Sequence, residues 1–329
     1  MRLKKNLVIT RSPVRISFIG GGSDLPLFYK KFGGLTFNAT INKYVYLFVN
    51  KFYDPNKCLL KYSNVELVKQ LDQIKHPLIR ESLRFSKTWG LDINSIADIG
   101  SGTGLGSSSA FTLSLLKSLY FLNGKSITKN NLAYTACKIE IEKAKSFIGK
   151  QDQYSSSFGG INKFTFNKNG SVTRKNFNSD KIKKFLLENI LIADTGISKS
   201  NYKLMKNINS NLNNQKTLDH TNQIKELVEY FIDGAENGDI IKCSSIINKS
   251  WELKKKLSPN VSNNNLDKFY SEILSSGALG AKLLGAGGRG FFLIFAEKKN
   301  QKKLKKNFSK IKFLDFKFDF EGTKIIHSN

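Results

Sequence analysis

Between residues 100 and 106 glycine occupies every second position, Gly100-Ser101-Gly102-Thr103-Gly104-Leu105-Gly106, and Ser107-Ser108-Ser109 follow directly. No helix or strand interior tolerates glycine at that density, so the segment is a loop. Residues 91–99 before it read as extended. After it, Phe111, Leu115, Leu116 and Leu119 fall at helical spacing, with the serine hydroxyls suited to capping the first turn. A loop between a strand and a helix N-terminus offers free backbone N–H groups and a favourable dipole to an anion. Glycines 102, 104 and 106 let the backbone approach a phosphate without a Cβ in the way. The serines add hydroxyls that can donate to phosphate or ligate Mg²⁺, a hard ion that prefers oxygen.

The loop is not a Walker A loop, because no GxxxxGK[ST] occurs, and no HRD or DFG of a protein kinase is present. Two further glycine clusters invite a dinucleotide reading. Gly20-Gly21-Gly22 follows a strand-like run, but the third glycine of GxGxxG would fall at Leu25. Gly285-Ala286-Gly287-Gly288-Arg289-Gly290 fits the pattern yet precedes a strand instead of joining a strand to a helix.

The bulk of the chain limits its class. It has 329 residues, 40% hydrophobic and 12% aromatic, enough for a buried core without disulfide or metal staples. Cys58, Cys137 and Cys243 are scattered with no CxxC, and the three histidines are equally dispersed, which excludes a disulfide framework and a thiolate or histidine metal cluster. The N-terminal residues lack an apolar signal stretch and no run long enough to span a bilayer exists, so a reducing cytoplasm is expected. The net charge of +27 invites nucleic acid. The lysines are spread along the chain and mixed with asparagine, so a solvated basic surface is expected, with no nucleic-acid or membrane partner. Such a surface favours encounter with polyanionic substrates.

Strands are expected at 15–19, 44–49, 91–99, 161–166, 189–194, 281–284, 290–295 and 313–318. Helices are expected at 76–89, from 107, at 130–146, 201–211, 222–236, 240–257, 266–275 and from 300. The polar stretch 167–184, with Gly170 in its middle, reads as a turn and a boundary. Strands mixed with helices in each half, without regular βαβ repetition, predict an α+β protein of two lobes, 1–180 and 181–329.

Several charged residues stand where chemistry is possible. Asp152, in Gly149-Lys150-Gln151-Asp152-Gln153-Tyr154, can accept or orient a hydroxyl proton, or cap a helix. Glu140 and Glu142 lie on the preceding helix as a solvated face or as metal ligands. Arg15 and Asp24 form an ordinary surface pair or a charge-stabilising and hydroxyl-binding one.

Three segments together resemble the GHMP kinases: Ser12-Pro13-Val14-Arg15-Ile16-Ser17-Phe18-Ile19-Gly20-Gly21-Gly22-Ser23-Asp24, Gly102-Thr103-Gly104-Leu105-Gly106-Ser107-Ser108-Ser109-Ala110, and Lys282-Leu283-Leu284-Gly285-Ala286-Gly287-Gly288-Arg289-Gly290. Within that family, residues 18–26, 149–154 and 277–282 most resemble the kinases of D-glycero-D-manno-heptose 7-phosphate. The resemblance implies a two-lobed fold, with a ribosomal S5 domain 2-like N-terminal lobe and a ferredoxin-like C-terminal lobe. It implies transfer of the ATP γ-phosphoryl group to the anomeric hydroxyl of the heptose phosphate, for nucleotide-heptose and surface glycan synthesis. L-fucose, a uronic acid or another sugar phosphate are alternative acceptors, and a non-catalytic sensor of sugar or ATP is the reading from another class.

The resemblance also implies roles. Asp152 is the base or orienting carboxylate, and Arg15 stabilises its charge or that of the transferring phosphoryl group. Ser108 and Glu140 match Mg²⁺ ligands, Glu140 preferred over Glu142 because it lies twelve positions before Asp152. Gly102, Thr103, Gly104, Leu105, Gly106, Ser107 and Ser108 would cradle the ATP phosphates. Asp24 matches a sugar-hydroxyl ligand beside Gly22 and Ser23, while Gly285, Gly287 and Gly288 approach from the second lobe. Ser101 departs from the family's usual proline, and Arg289 interrupts its all-glycine run. Arg289 and Lys150 are candidates for holding a substrate phosphate. The oligomeric state is not encoded in any motif.

Overall fold

The computed structural model describes residues 4–195 and 202–329. β-Branched and aromatic residues dominate two long strands, β1 (Leu7–Ile19) and β2 (Gly34–Lys51), which pair antiparallel along most of their length. Both extend well beyond the expected 15–19 and 44–49. The pairing shifts register at Pro13/Val14 and again at Ser17/Ile19. A proline at a register shift forfeits no ladder hydrogen bond. The bends let β2 serve two neighbours. Its later part, Val45–Lys51, pairs with β5 (Leu91–Ala97) after the short strands β3 (Cys58–Lys61) and β4 (Val65–Val68). Its first part, Gly34–Ala39, pairs with β6 (Ile161–Phe166), which carries β7 (Val172–Asn176) on its other side.

The second sheet is antiparallel with order β8-β10-β9, from β8 (Ile190–Asp194), β9 (Gly280–Leu283) and β10 (Phe291–Phe295). The last strand, β11 (Lys324–Ser328), returns to the large sheet beside β1. The chain therefore crosses the 180/181 division again at its end. The strand expected at 313–318 is reduced to two single bridges, Ala193 with Phe313 and Ile41 with Phe318. That segment carries the chain from the edge of the small sheet to the large one.

The helices α1 (Pro26–Phe32), α2 (Pro77–Ser86), α3 (Ser107–Leu122), α4 (Lys129–Cys137) and α5 (Gln151–Phe158) belong to the first half. In the second half follow α6 (Asp180–Asn189), α7 (Tyr202–Asn211), α8 (Gln215–Asn237), α9 (Ile240–Lys255), α10 (Asn264–Ser275) and α11 (Lys298–Asn307). Residue 201 of the helix expected at 201–211 lies outside the described residues. The single helix expected at 130–146 is α4 followed by a π-helical turn, Lys138–Lys143. Residues 167–184 are more than a boundary, since they hold β7 and the start of α6, capped by Ser179. No helix among the described residues is long and apolar enough to cross a membrane.

Helix α3 packs on β1 and β2 with most of its side chains buried. Its hydroxyls meet those of β1 in the interface: Ser12 Oγ and Ser114 Oγ are 2.7 Å apart, and Thr10 Oγ1 donates to Ser114 O at 3.0 Å. Burial of these polar groups is thereby matched by hydrogen bonds. One core joins the two sheets. Phe18 of β1, Phe37 of β2 and Phe231 of α8 stand with ring centroids 5.7–5.9 Å apart, and Phe231 meets Phe295 of β10 edge-on. The opposite face of β10 presents Phe292 to Trp251 of α9 in a second core. With both faces of β10 covered, its run Phe-Phe-Leu-Ile-Phe has no polar alternation.

Candidate active site

A cavity of about 240 Å³ opens where β1, the glycine loop, the start of α5 and the face of α9 meet. The glycine loop forms one wall through Gly102, Gly104, Gly106, Ser107 and Ser108. The loop alternates in hand, with φ of 75°, 84° and 78° at those three glycines. Gly106 is the N-cap of α3 and has no side chain to satisfy the first N–H groups. The serines are therefore not caps as expected: Ser107 is already the first helical residue. Gly106, Ser107 and Ser108 line the cavity at this uncapped helix start, an arrangement suited to a phosphate. Thr103 and Leu105 of the expected cradle do not line the cavity. Thr103 Oγ1 turns back to Gly100 O at 3.1 Å, and Leu105 is fully buried with its carbonyl accepting from Arg15 N at 2.9 Å.

The glycine loop is held from outside by the second glycine segment. A Cβ on Gly285 would lie 2.3 Å from Gly104 Cα, and one on Gly104 would lie 2.6 Å from Leu284 O. Only two backbones without side chains pack this closely. Gly285 lines the cavity. Gly287 and Gly288, expected beside it, do not, because they pack on the turn at Val261, whose carbonyl accepts from Gly288 N at 2.8 Å.

Asp152 stands in the first turn of α5, whose N-cap is Lys150, so the carboxylate is not the cap. Its Oδ1 accepts from Arg15 Nε at 2.8 Å and lies 2.7 Å from Arg15 Nη2. Arg15 Nη1 donates to Gly104 O at 2.6 Å, which ties the pair to the glycine loop. Arg15 is 5% exposed in its side chain and Asp152 23%, so the cation is enclosed and the carboxylate faces the cavity. The other oxygen, Oδ2, lies 3.1 Å from where a Cβ of Gly106 would sit and has no protein hydrogen bond among the described residues.

Asp24 lines the cavity but is already engaged. Oδ1 accepts from Gly22 N at 3.0 Å and Oδ2 from Gln151 N at 3.0 Å. Burial pushes its carboxyl up to about 6, against the opposing pull of these N–H donors. Gly149 is required here, since a Cβ would fall 1.8 Å from Asp24 Oδ2. Gly22 lines the cavity as expected, but Ser23 does not. Ser23 is fully buried, its hydroxyl donating to Gly20 O and Leu35 O, and it holds the turn instead of a substrate.

Ser108 lines the cavity, whereas Glu140 lies behind the wall, in the π-helical turn. Glu140 is buried, Oε2 accepts from Ser109 Oγ at 2.9 Å, and Oε1 has no partner among the described residues. Burial raises its carboxyl to about 8. The orphaned oxygen of Glu140, whose other oxygen is held by Ser109 next to Ser108, suits a divalent cation that takes its remaining ligands from phosphate and water. No cluster of three His, Cys, Asp or Glu side chains that could hold a metal occurs among the described residues. Glu142 is exposed. Lys150 Nζ donates to Gly170 O at 2.7 Å, 4.7 Å from the Tyr29 ring, and Arg289 is buried off the cavity, so neither Lys150 nor Arg289 lines it.

Five polar residues of the cavity escaped the reading of the sequence: Ser17, Gln151, Ser250, Lys254 and Lys282. Ser17 Oγ donates to Gln151 Oε1 at 2.8 Å. Ser17 lies inside the quoted segment 12–24, Gln151 inside 149–154 and Lys282 inside 282–290, masked by more suggestive neighbours. Lys254 carries no local signal in a lysine-rich helix.

Likeness to known proteins extends over the chain. The description "GHMP kinases N terminal domain" matches residues 66–160 and "GHMP kinases C terminal" matches 227–312. The D-glycero-alpha-D-manno-heptose 7-phosphate kinase of Campylobacter jejuni is 28% identical over 333 residues, covering 96% of this chain and 97% of that protein. A D-glycero-D-manno-heptose 1-phosphate kinase of Bacteroides thetaiotaomicron superposes with a TM-score of 0.80 at 21% identity, over 97% of this chain and 99% of that one. Lactococcus lactis galactokinase superposes with a TM-score of 0.74 at 16% identity, over 97% and 94%. These two structures share the fold. With the phosphate loop, the Asp152–Arg15 pair and both domain matches on one cavity, the chain belongs to the GHMP kinases, phosphotransferases that use ATP and an alcohol acceptor.

Proposed function

We propose that the protein transfers the γ-phosphoryl group of ATP to the anomeric hydroxyl of D-glycero-D-manno-heptose 7-phosphate, in a reducing cytoplasm, for nucleotide-heptose and surface glycan synthesis. The observation that carries this reading is Asp152 Oδ2 facing the cavity while Oδ1 is fixed by Arg15, beside the open N-terminus of α3. The acceptor comes from likeness to the Campylobacter kinase.

In this reading Gly102 to Ser108 take the phosphates of ATP, chiefly through the N–H groups at the start of α3. The acceptor hydroxyl donates to Asp152 Oδ2. As its oxygen attacks the γ-phosphorus, the proton passes to Asp152, the bond to the β-phosphate oxygen breaks, and ADP leaves. Arg15 holds the carboxylate oriented through Oδ1, and offsets charge near the loop. Asp24 holds the turn at Gly22 against α5, which sets the acceptor side. Ser108 and Glu140 would hold Mg²⁺, which neutralises phosphate charge when bound. Positioning and electrostatics account for most of the rate in such a transfer.

The test is ADP release with Mg²⁺-ATP across a panel of sugars and sugar phosphates, with NMR of the product. Turnover of heptose 7-phosphate to a 1,7-bisphosphate is the expected result. Turnover of another sugar alone, L-fucose for instance, discards the heptose assignment. ATP binding without turnover of any acceptor favours a sensor. Tight, salt-dependent binding to duplex DNA would revive the nucleic-acid reading.

A further inference from the structure

Two cations in the cavity are not accounted for by the reaction just described. Lys282 of β9 is 5% exposed, and its Nζ donates to Phe18 O of β1 at 2.7 Å. Lys254 of α9 is half-buried, with Nζ donating to Leu283 O at 2.9 Å and to Gly285 O at 2.5 Å. Both line the cavity. Neither forms an ion pair among the described residues; each has carbonyls as its acceptors. The charges around them are Arg15 of β1, Asp152 of α5 and Asp24 in the turn after β1. Asp152 is committed to Arg15, and Asp24 to the N–H groups of Gly22 and Gln151.

An enclosed ammonium without a counter-ion is costly, and an apolar side chain of like volume would pack there at no such cost. Burial and the neighbouring cations push both amines down, Lys282 to about 7 and Lys254 well below its ordinary value. The cluster stands on the acceptor side. Lys282 is tied to the strand that leads into Gly20–Asp24, and Leu257, one turn beyond Lys254, faces Gly22 with its Cδ1 4.0 Å from where a Cβ there would sit.

We propose that Lys254 and Lys282 form a second phosphate site, which holds the phosphate that the acceptor already carries. This rests on the acceptor being a sugar phosphate, and it assigns that specificity to residues of the second half of the chain. A dianion entering the floor would supply the missing counter-charge and draw both amines to the ammonium form.

The experiment is calorimetric titration of inorganic phosphate into the full chain saturated with Mg²⁺ and a non-hydrolysable ATP analogue, which fills the nucleotide's own phosphate sites. Wild type is expected to bind phosphate under these conditions. Lys254→Met and Lys282→Met should weaken binding by about 10- to 100-fold, the loss of a hydrogen bond to a charged group. Their melting temperatures should be unchanged or higher, because a buried charge has gone. Lys254→Gln and Lys282→Gln repeat the test if a methionine variant fails to fold. Abolition of phosphate binding by the ATP analogue would assign the lysines to the transferring phosphoryl group, and unaltered binding in the variants would remove them from any anion site; either overturns the proposal. In kinetics the variants should raise KM for a phosphorylated acceptor and leave KM for ATP within about 3-fold. Because phosphate binding is read without turnover, failure of heptose 7-phosphate as substrate would discard the proposed reaction and leave this site standing.

Discussion

The two sides of the cavity treat charge in opposite ways. On the side built by the first half, Arg15 and Asp152 neutralise each other at 2.7 Å and are locked to the phosphate loop through Gly104 O. On the side built by the second half, Lys254 and Lys282 rest on carbonyls with no carboxylate beside them. A pair that is complete in the protein alone is set up to act, since its geometry precedes the substrate. A pair of like charges without a partner is set up to receive. Under the proposed function, the contrast separates reaction from recognition within one cavity.

Asp152→Asn breaks the acting side most severely. It should lower kcat by about 10²-fold or more, with nucleotide binding by calorimetry within about 3-fold of wild type. A near-unchanged kcat would remove Asp152 from the proton's path. Gly285→Ala attacks the seam between the two sides. Its Cβ would meet Gly104 Cα at 2.3 Å, so a loss of about 1–3 kcal/mol in thermal unfolding and a raised KM for ATP are expected. An unshifted melting temperature would mean that the two glycine loops do not need their close approach.

Lys282→Met sharpens the comparison through pH. The folded amine is held near 7, below its ordinary 10.5, so stability from this group is full above pH 10.5 and lost as pH falls toward 7. The methionine variant should therefore be more stable than wild type at pH 7, and the gap should close as pH approaches 10.5. A gap that is flat with pH would show that the amine pays no burial cost. Asp24→Asn gives the smallest and opposite slope. With the carboxyl raised to about 6 from 3.8, stability is full below about pH 4 and lost by pH 6. The asparagine variant should lack that fall in urea unfolding across the interval; retention of the full slope would place its origin elsewhere.

Much of the acting side was legible in the chain. Alternate glycines, a following helix and Asp152 after Gly149 are local patterns, and local patterns carry local geometry. The strand ends were less legible. β2 continues through Gly34–Ala39 because β6 supplies a partner there, which no feature of residues 34–39 announces. Residues 313–318 look like a strand, yet they cross between sheets and pair at single residues. Ser23 and Thr103 have the hydroxyls of binding residues, but their neighbours turn them into the backbone.

The sequence by itself determined the phosphate loop, because glycine and serine at that spacing act through backbone freedom and exposed N–H groups, which need no distant partner. It also determined the alternation of strands and helices, and it marked Asp152 as the carboxylate to which the proposed reaction assigns the proton. Only the tertiary structure decided that Lys254 and Lys282, far apart in a chain rich in lysine, share a cavity floor with Arg15. A charge is the same in sequence wherever it stands. What it does depends on which opposite charges reach it and how much water is left around it, and both are fixed by packing.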